Sequence, residues 1–343
     1  MIIGICPTRI SFAGGGTDMP EYFEKFGGNV ISSTINQFTY CVVQTRHDNS
    51  FQSFSPDFQK HYKPTVFNKI AIEDGTEISS SVIKYLKYKK GLNVILFSDV
   101  AAGSGLGGSS SLAVNLVNVI NHLKKEEWNK QKTAETAFHI GRKILHWPIG
   151  KQDEYSASYG GLNFIQFKKN KVSVKPIKLL KSSKNELEKN LLLFFLGNTR
   201  NSSIILTEQI KKLKNKNPET INSLLSVKNI ALEMYESLKK SDLTNFGNLL
   251  HKGWIAKKQF SSGITNEKID KIYKKALQVG ALGGKLTGAG GGGHILFYCE
   301  SNKQKSLIKK MNELGLRQIN FNLYEQGPKI VNPIDCLETY KKP

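Results

Sequence analysis

The sequence predicts an α+β chain organised as two domains. Its 343 residues leave room for about two domains of the usual 100–200 residues. Strand-like runs rich in β-branched residues alternate with helical patterns along the whole length. Three glycine clusters, Gly14 to Gly16, Gly103 to Gly108 and Gly283 to Gly293, each lie against an extended apolar segment. Such junctions are where backbone amides come free to meet a ligand. With 39% hydrophobic residues and no long window lacking aliphatic or aromatic side chains, the chain is not a disordered one.

The elements follow in order. Ile2, Ile3, Ile5 and Ile10 make residues 2–12 a strand that feeds the first glycine cluster. Residues 93–98 are a strand by β-branched content, and the second cluster follows them. It opens into a helix in which Leu112, Leu116, Val119, Ile120 and Leu123 fall on one face. The lysine-rich stretch 168–190 reads as a hairpin and a connection closing the first domain. Residues 191–196 start the second domain as a buried strand. Helical patterns follow at 204–213, 221–238, 242–258 and 267–279, then the third glycine cluster, a strand at 294–299, a helix at 304–314 and a last strand near 318–324. Residues 332–343 read as a loose tail.

Charge excludes less than its size suggests. A formal +21 from 49 basic and 28 acidic residues would ordinarily raise nucleic acid or an anionic membrane. Only Arg9, Arg46, Arg142, Arg200 and Arg317 are arginines, whereas phosphate-reading surfaces favour the bidentate arginine fork. The lysines are spread through asparagine-rich segments and read as a solvated face, so no nucleic-acid partner is expected. The longest apolar stretches fall far short of the roughly 20 residues that span a bilayer, and no membrane partner is expected. Cys6, Cys41, Cys299 and Cys336 are widely separated, and the seven histidines lack metal-ligand spacing, so neither a disulfide framework nor a structural zinc site is indicated. Without a basic segment and long apolar run at the N-terminus, a cytoplasmic location is the expectation.

Three segments carry chemistry. In Gly103-Ser-Gly-Leu-Gly-Gly-Ser-Ser-Ser111 the glycines let a backbone approach closely. The serines then fall in the first turn of a helix, where open N–H groups and the positive dipole end attract phosphate. Serine capping after a tight turn describes the same residues. No lysine follows the last glycine, so this is not a Walker A loop. In Gly150-Lys-Gln-Asp-Glu-Tyr155, Asp153 beside Lys151 offers a carboxylate to orient or deprotonate an acceptor hydroxyl, although an aspartate in a loop is most often a turn residue. Lys285-Leu-Thr-Gly-Ala-Gly-Gly-Gly-Gly293 is too glycine-dense for ordinary regular structure, and a flexible loop is its plainer description.

Together, and with Pro7-Thr-Arg-Ile-Ser-Phe-Ala-Gly-Gly-Gly-Thr-Asp18, these segments resemble in order and spacing the GHMP kinases, the superfamily of galactokinase, homoserine kinase, mevalonate kinase and phosphomevalonate kinase. Ala13 to Asp18, Gly150 to Tyr155 and Gly160-Gly-Leu-Asn163 are most similar to its D-glycero-D-manno-heptose 7-phosphate kinases. The resemblance implies a two-domain GHMP-kinase fold: an N-terminal α/β ATP-binding domain over residues 1–188, a C-terminal ferredoxin-like domain over 189–331, a tail over 332–343, and a site in the cleft between the domains. It implies that Gly103, Ser104, Gly105, Leu106, Gly107, Gly108, Ser109 and Ser110 wrap the phosphates of ATP, with Ser109 a Mg²⁺ ligand. Asp153 would be catalytic, with Arg9 beside it.

On the acceptor side, the resemblance implies Gly15, Gly16, Thr17, Asp18, Lys151, Gly288, Ala289 and Gly290, with Asp18 on sugar hydroxyls. Galactokinases carry Glu and His where this chain has Gly15 and Gly16, which leaves room for a larger or phosphorylated sugar and bares two amides. Lys151 and Arg200 are the expected contacts of that phosphate. Two positions depart from the pattern. Ala101-Ala102 stands where a proline usually leads into the loop, and Gly141 stands where the family has a second Mg²⁺ ligand, a glutamate; Glu135 and Glu154 are the nearest carboxylates. The expected activity is transfer of the ATP γ-phosphoryl group to the anomeric hydroxyl of a heptose 7-phosphate, by a monomer or homodimer. A kinase of fucose, galactose, an N-acetylhexosamine or a hexose phosphate is the alternative, as is a catalytically weak ligand sensor.

Overall fold

A computed structural model describes residues 1–197 and 202–333. In the N-terminal half the elements run β1 (Ile2–Ala13), α1 (Pro20–Phe26), β2 (Gly28–Thr45), β3 (Ser50–Ser55), β4 (Lys60–Val66), α2 (Glu77–Tyr85), β5 (Leu92–Ser98), α3 (Gly108–Leu123), α4 (Lys130–His139), α5 (Gln152–Tyr159), β6 (Leu162–Lys168), β7 (Lys171–Pro176) and α6 (Lys181–Asn190). The rest comprises β8 (Leu191–Phe195), α7 (Ser202–Lys214), α8 (Pro218–Lys239), α9 (Leu243–Lys257), α10 (Glu267–Gln278), β9 (Ala281–Leu286), β10 (His294–Cys299), α11 (Gln304–Glu313), β11 (Arg317–Ile319) and β12 (Lys329–Val331). Among the described residues no helix is long and apolar enough to cross a membrane.

The first sheet is organised by β2. One edge of it pairs with β1 along most of its length, while the other is shared between β6 at Gly28–Ser33 and β5 at Thr39–Thr45. Pro7, which has no N–H to give a ladder, sits at a register shift in β1. On this sheet lies α3, whose Leu116, Val119 and Ile120 are fully buried, with Leu112 nearly so. The face expected from its sequence is therefore the one that packs.

The second sheet has the order β11-β8-β10-β9, antiparallel throughout. Helices α7 to α10 lie in sequence between β8 and β9, and α11 lies between β10 and β11. This is the ferredoxin-like arrangement, with four helices in the first crossover. Asn217, Asp242 and Asn266 cap α8, α9 and α10, each side chain accepting an N–H of the first turn.

The two sheets share apolar packing. Ile10 and Phe12 of β1, Phe164 of β6, Met234 of α8, Phe246 of α9 and Leu296 of β10 belong to one buried cluster, and the Phe12 and Phe246 rings meet edge to face at 5.4 Å. A cleft between sheets so joined has fixed walls.

Three expectations change. The connection within 168–190 contains a helix, α6, after the β6–β7 hairpin. The final strand of the second sheet is only Arg317–Ile319. Beyond it the chain crosses back and β12 pairs with β1 in the first sheet, so the second unit does not hold all of 189–331. The third glycine cluster is also divided. Gly283 and Gly284 lie inside β9, where a Cβ would fall 2.1 Å from the Gly247 carbonyl and 2.4 Å from the Leu296 carbonyl respectively. Glycine is needed there for close packing, and only the residues after Leu286 form the loop.

Candidate active site

The cleft is built where β1, the loop before α3, the start of α5 and the loop after β9 converge. Arg9 projects from β1 and is almost fully buried. Its guanidinium grips Asp153, at the first turn of α5, through Nε to Oδ1 at 2.6 Å and through NH2 to Oδ2. The remaining nitrogen donates to the Gly105 carbonyl at 2.7 Å, and the Arg9 backbone N–H donates to the Leu106 carbonyl at 3.0 Å. One side chain thus fixes a carboxylate and the glycine loop relative to each other, using the bidentate geometry that lysine lacks.

Two cavities meet at this pair. The larger, of about 550 Å³, is lined by Gly103, Ser104, Gly105, Gly107, Gly108 and Ser109 on one wall and by Thr287 to Gly290 on the other. Helix α3 starts there from Gly107 without a side-chain cap, so its first-turn N–H groups are open to the cavity. The smaller, of about 70 Å³, is lined by Ser11, Gly15, Gly16, Asp18, Gln152, Gln209, Lys257, Phe260 and Lys285. Arg9, Asp153, Gly288 and Ala289 border both.

Asp18 ties the first glycine cluster to α5. Its Oδ1 accepts from Gly16 N–H at 2.8 Å and its Oδ2 from Gln152 N–H at 3.0 Å. Burial pushes this carboxyl above its ordinary range; the Gln152 and Gly16 amides oppose that, and the Asp153 charge adds to it. The Gly16 amide is therefore taken by Asp18, and two bared amides are not what the absence of side chains at Gly15 and Gly16 provides. A Cβ on Gly16 would stand 2.9 Å from Gln209 Nε2, and one on Gly15 3.2 Å from Ser11 Oγ, so these glycines leave two buried side chains facing the cavity.

Several expected residues are placed elsewhere. Lys151 lines neither cavity; its ammonium is held by both Glu135 oxygens at 2.6 and 2.7 Å and lies 5.2 Å from the centre of the Phe138 ring. Thr17 is fully buried, its hydroxyl between the Gly14 and Asn29 carbonyls, where it shapes the loop and cannot touch a ligand. Leu106 points into the shared core. Ser110 lines the larger cavity as expected, but its hydroxyl donates to Glu154 at 2.8 Å, and burial with the charge of Asp153 pushes the Glu154 carboxyl up to about 8. Glu135 is committed to Lys151 and to the Tyr155 hydroxyl. At Gly141, a Cβ would meet Ile149 at 2.8 Å and the Trp147 ring at 3.2 Å. Apolar side chains fill the place of the expected glutamate. Among the described residues no cluster of three acidic, histidine or cysteine side chains stands ready for a metal. Arg200 lies outside the described residues.

Two lysines outside the residues expected from sequence also line the smaller cavity: Lys285, within the glycine-dense segment 285–293, and Lys257, at the end of α9, where composition does not set it apart from the other lysines. Both are nearly buried. Lys257 donates to the Gly288 carbonyl, and Lys285 to the Phe12 carbonyl at 3.3 Å.

The profile of the GHMP kinases N terminal domain matches residues 77–161, and that of the GHMP kinases C terminal matches residues 234–315. The chain is 33% identical over 330 residues to a D-glycero-alpha-D-manno-heptose 7-phosphate kinase of Campylobacter jejuni, covering 94% of this chain and 96% of that protein. It is 26% identical to an L-fucokinase/L-fucose-1-P guanylyltransferase of Bacteroides fragilis, covering 91% of this chain and 36% of that longer protein. Among solved structures, a D-glycero-D-manno-heptose 1-phosphate kinase from Bacteroides thetaiotaomicron superposes with a TM-score of 0.80 at 24% identity, over 97% of this chain and 99% of that one. A structure from Campylobacter jejuni described as a “Putative Sugar Kinase” gives 0.76 at 29% identity, over 96% and 98%.

Proposed function

The chain belongs to the GHMP kinase family and is a phosphotransferase, and on that premise we propose that it transfers the γ-phosphoryl group of ATP to the anomeric hydroxyl of D-glycero-D-manno-heptose 7-phosphate. The observation that carries this reading is the position of the Asp153–Arg9 pair on the boundary of the two cavities. A donor in the larger cavity and an acceptor in the smaller would meet at that carboxylate.

In this reading the ATP phosphates lie along Gly103 to Ser109, against the open N–H groups of α3. The acceptor hydroxyl approaches Asp153, which takes its proton as the oxygen attacks the γ-phosphorus and ADP departs in line. Arg9 holds Asp153 in place, and its charge offsets the negative charge gathering on the transferred group. Asp18, anchored by two amides, keeps lone pairs for a sugar hydroxyl. Gly105 and Gly288 close the cleft over the reacting groups.

Mg²⁺ fits as an ion carried by the nucleotide. Ser109 and Asp153 both face the larger cavity and can supply two oxygens, while nucleotide phosphates and water complete the usual octahedron. Bound there, it would neutralise phosphate charge.

Release of ADP from Mg-ATP tests the reading across heptose 7-phosphate, free heptose, fucose, galactose and hexose phosphates. Heptose 7-phosphate is expected to give the highest kcat/KM, and Asp153→Asn to lower kcat by about 10³-fold or more while ATP still binds. Preference for an unphosphorylated sugar would overturn the acceptor. Ligand-induced thermal stabilisation without turnover on any of them would make the protein a sensor.

A further inference from the structure

The smaller cavity holds an excess of buried positive charge that the protein leaves unpaired. Of its charged groups, Arg9 is ion-paired with Asp153, and Asp18 accepts from two backbone amides. Lys257 and Lys285 remain. Among the described residues neither has a carboxylate within ion-pair distance, and their hydrogen bonds go to the Gly288 and Phe12 carbonyls. A buried ammonium in such a setting is costly unless an anion joins it. Burial pushes both below their ordinary range, Lys257 to about 8; the Arg9 charge adds to the effect in each case and the Lys257 charge adds to it for Lys285, while the Asp18 and Asp153 charges partly oppose it at Lys257.

A second observation points to a ligand independently of charge. Ser11 Oγ, Gln152 Oε1 and Gln209 Nε2 are buried and have no hydrogen-bond partner, and all three residues line this same cavity. Buried polar atoms are ordinarily satisfied. Gly15 and Gly16 hold the space in front of Ser11 and Gln209 free of side chains. Two unpaired ammoniums, an amide N–H donor and a hydroxyl make a set suited to a compact oxyanion with several acceptor oxygens.

We propose that Lys257 and Lys285, with Gln209 and Ser11, form a receptor for a phosphate group carried by the acceptor, and that this receptor makes the protein select a phosphorylated sugar over its unphosphorylated counterpart. The phosphate belongs to the acceptor rather than to ATP, because neither lysine lines the cavity that holds the glycine loop and the start of α3. The assignment rests on the kinase reading only for the identity of the sugar. The charge and the unsatisfied atoms stand without it.

The test is calorimetric binding of two matched pairs, D-glycero-D-manno-heptose 7-phosphate against the free heptose and mannose 6-phosphate against mannose. They are titrated into the wild type, Lys285→Met and Lys257→Met. ATP affinity and the ligand-free Tm are measured alongside. The wild type should prefer each phosphorylated sugar, and each substitution should reduce that preference by about tenfold or more. ATP affinity should stay within about twofold, and the ligand-free Tm should rise, because an uncompensated buried charge has been removed. Preference retained in both variants with a lowered Tm would mark the lysines as structural and overturn the proposal. Loss of ATP affinity in place of sugar-phosphate affinity would assign them to the nucleotide and overturn it equally. Failure here is separable from failure of the kinase reading. Lysine-dependent binding without ADP release keeps the receptor and removes the reaction; ADP release with lysine-independent preference does the reverse.

Discussion

The two cavities that meet at Asp153 are built by opposite means. Along one part of the larger, backbone dominates: glycines and first-turn amides of α3 face a second glycine loop from the other sheet, while side chains such as Phe58, Glu77, Trp147 and Leu206 line the remainder. The smaller is lined largely by side chains delivered by β1, α5, α7, α9 and β9, among them the buried Lys257 and Lys285. A site of amides tolerates the absence of its ligand cheaply, since the amides were open helix ends in any case. A site of buried ammoniums pays in stability for every moment without an anion. The nucleotide side should therefore fail through geometry when altered, and the acceptor side through electrostatics.

The largest expected effect is geometric. At Gly105, φ is +83°, and a Cβ would lie 2.7 Å from the Thr287 carbonyl oxygen. Opposite it Gly288 has φ +62° and would place a Cβ 2.6 Å from the Gly105 Cα. Backbone meets backbone across the cleft, so Gly105→Ala must part the two loops. It should cost about 2–4 kcal/mol, from left-handed strain and overpacking together, and raise KM for ATP by about tenfold or more. Gly315→Ala is the control, because Gly315 has φ +77° with nothing within 4 Å of a Cβ, and should show the strain alone, about 1 kcal/mol. Equal losses in the two variants would mean that the loops do not close on each other.

This contrast also explains what the sequence disclosed. The glycine loop and the burial pattern of α3 were legible because each is written in a short window, as glycine density and a 3.6-residue period, whereas Arg9 and the role of Asp153 came only from the resemblance to GHMP kinase motifs. Lys257 and Lys285 were not legible. They come from a helix end and a strand, and nothing in the surrounding composition separates a buried lysine from the many solvated ones. Lys151, two residues before Asp153 in sequence, instead directs its ammonium to Glu135 of α4. The return of β12 to the first sheet was hidden for a similar reason: three residues carry no periodicity to read.

The next effect in size is electrostatic and depends on pH. An unfolded lysine titrates near 10.5, whereas burial, with Arg9 adding to it and Asp18 and Asp153 opposing it, holds Lys257 at about 8. Below pH 8 the side chain is charged in both states and the desolvation penalty is present in full. Between about 8 and 10.5 the unfolded chain binds more protons than the folded one, so stability contributed through this group rises with pH. Lys257→Met should thus stabilise the ligand-free protein at pH 7.5 by about 2 kcal/mol, and its advantage over the wild type should shrink as pH approaches 10.5. Denaturant midpoints across that range provide the measurement, and a constant difference would show that Lys257 is not the buried charge described.

The smallest expected effect marks the outer limit of the acceptor site. The Lys151–Glu135 pair is partly solvated, with the Glu135 side chain 36% exposed, and an ion pair in such a setting contributes little, about 1 kcal/mol or less. The Lys151 ammonium also lies 5.2 and 5.8 Å from the centres of the Phe138 and Phe23 rings, so Lys151→Met deletes the ion pair and these cation–ring contacts while keeping an apolar side chain of similar reach. KM for both ATP and the sugar phosphate should stay within about twofold of wild type, with a Tm change of a few degrees at most. A tenfold rise in KM for the phosphorylated sugar alone would place Lys151 among the groups that hold the acceptor. The boundary between side-chain receptor and supporting helix would then lie beyond α5 rather than at Gln152.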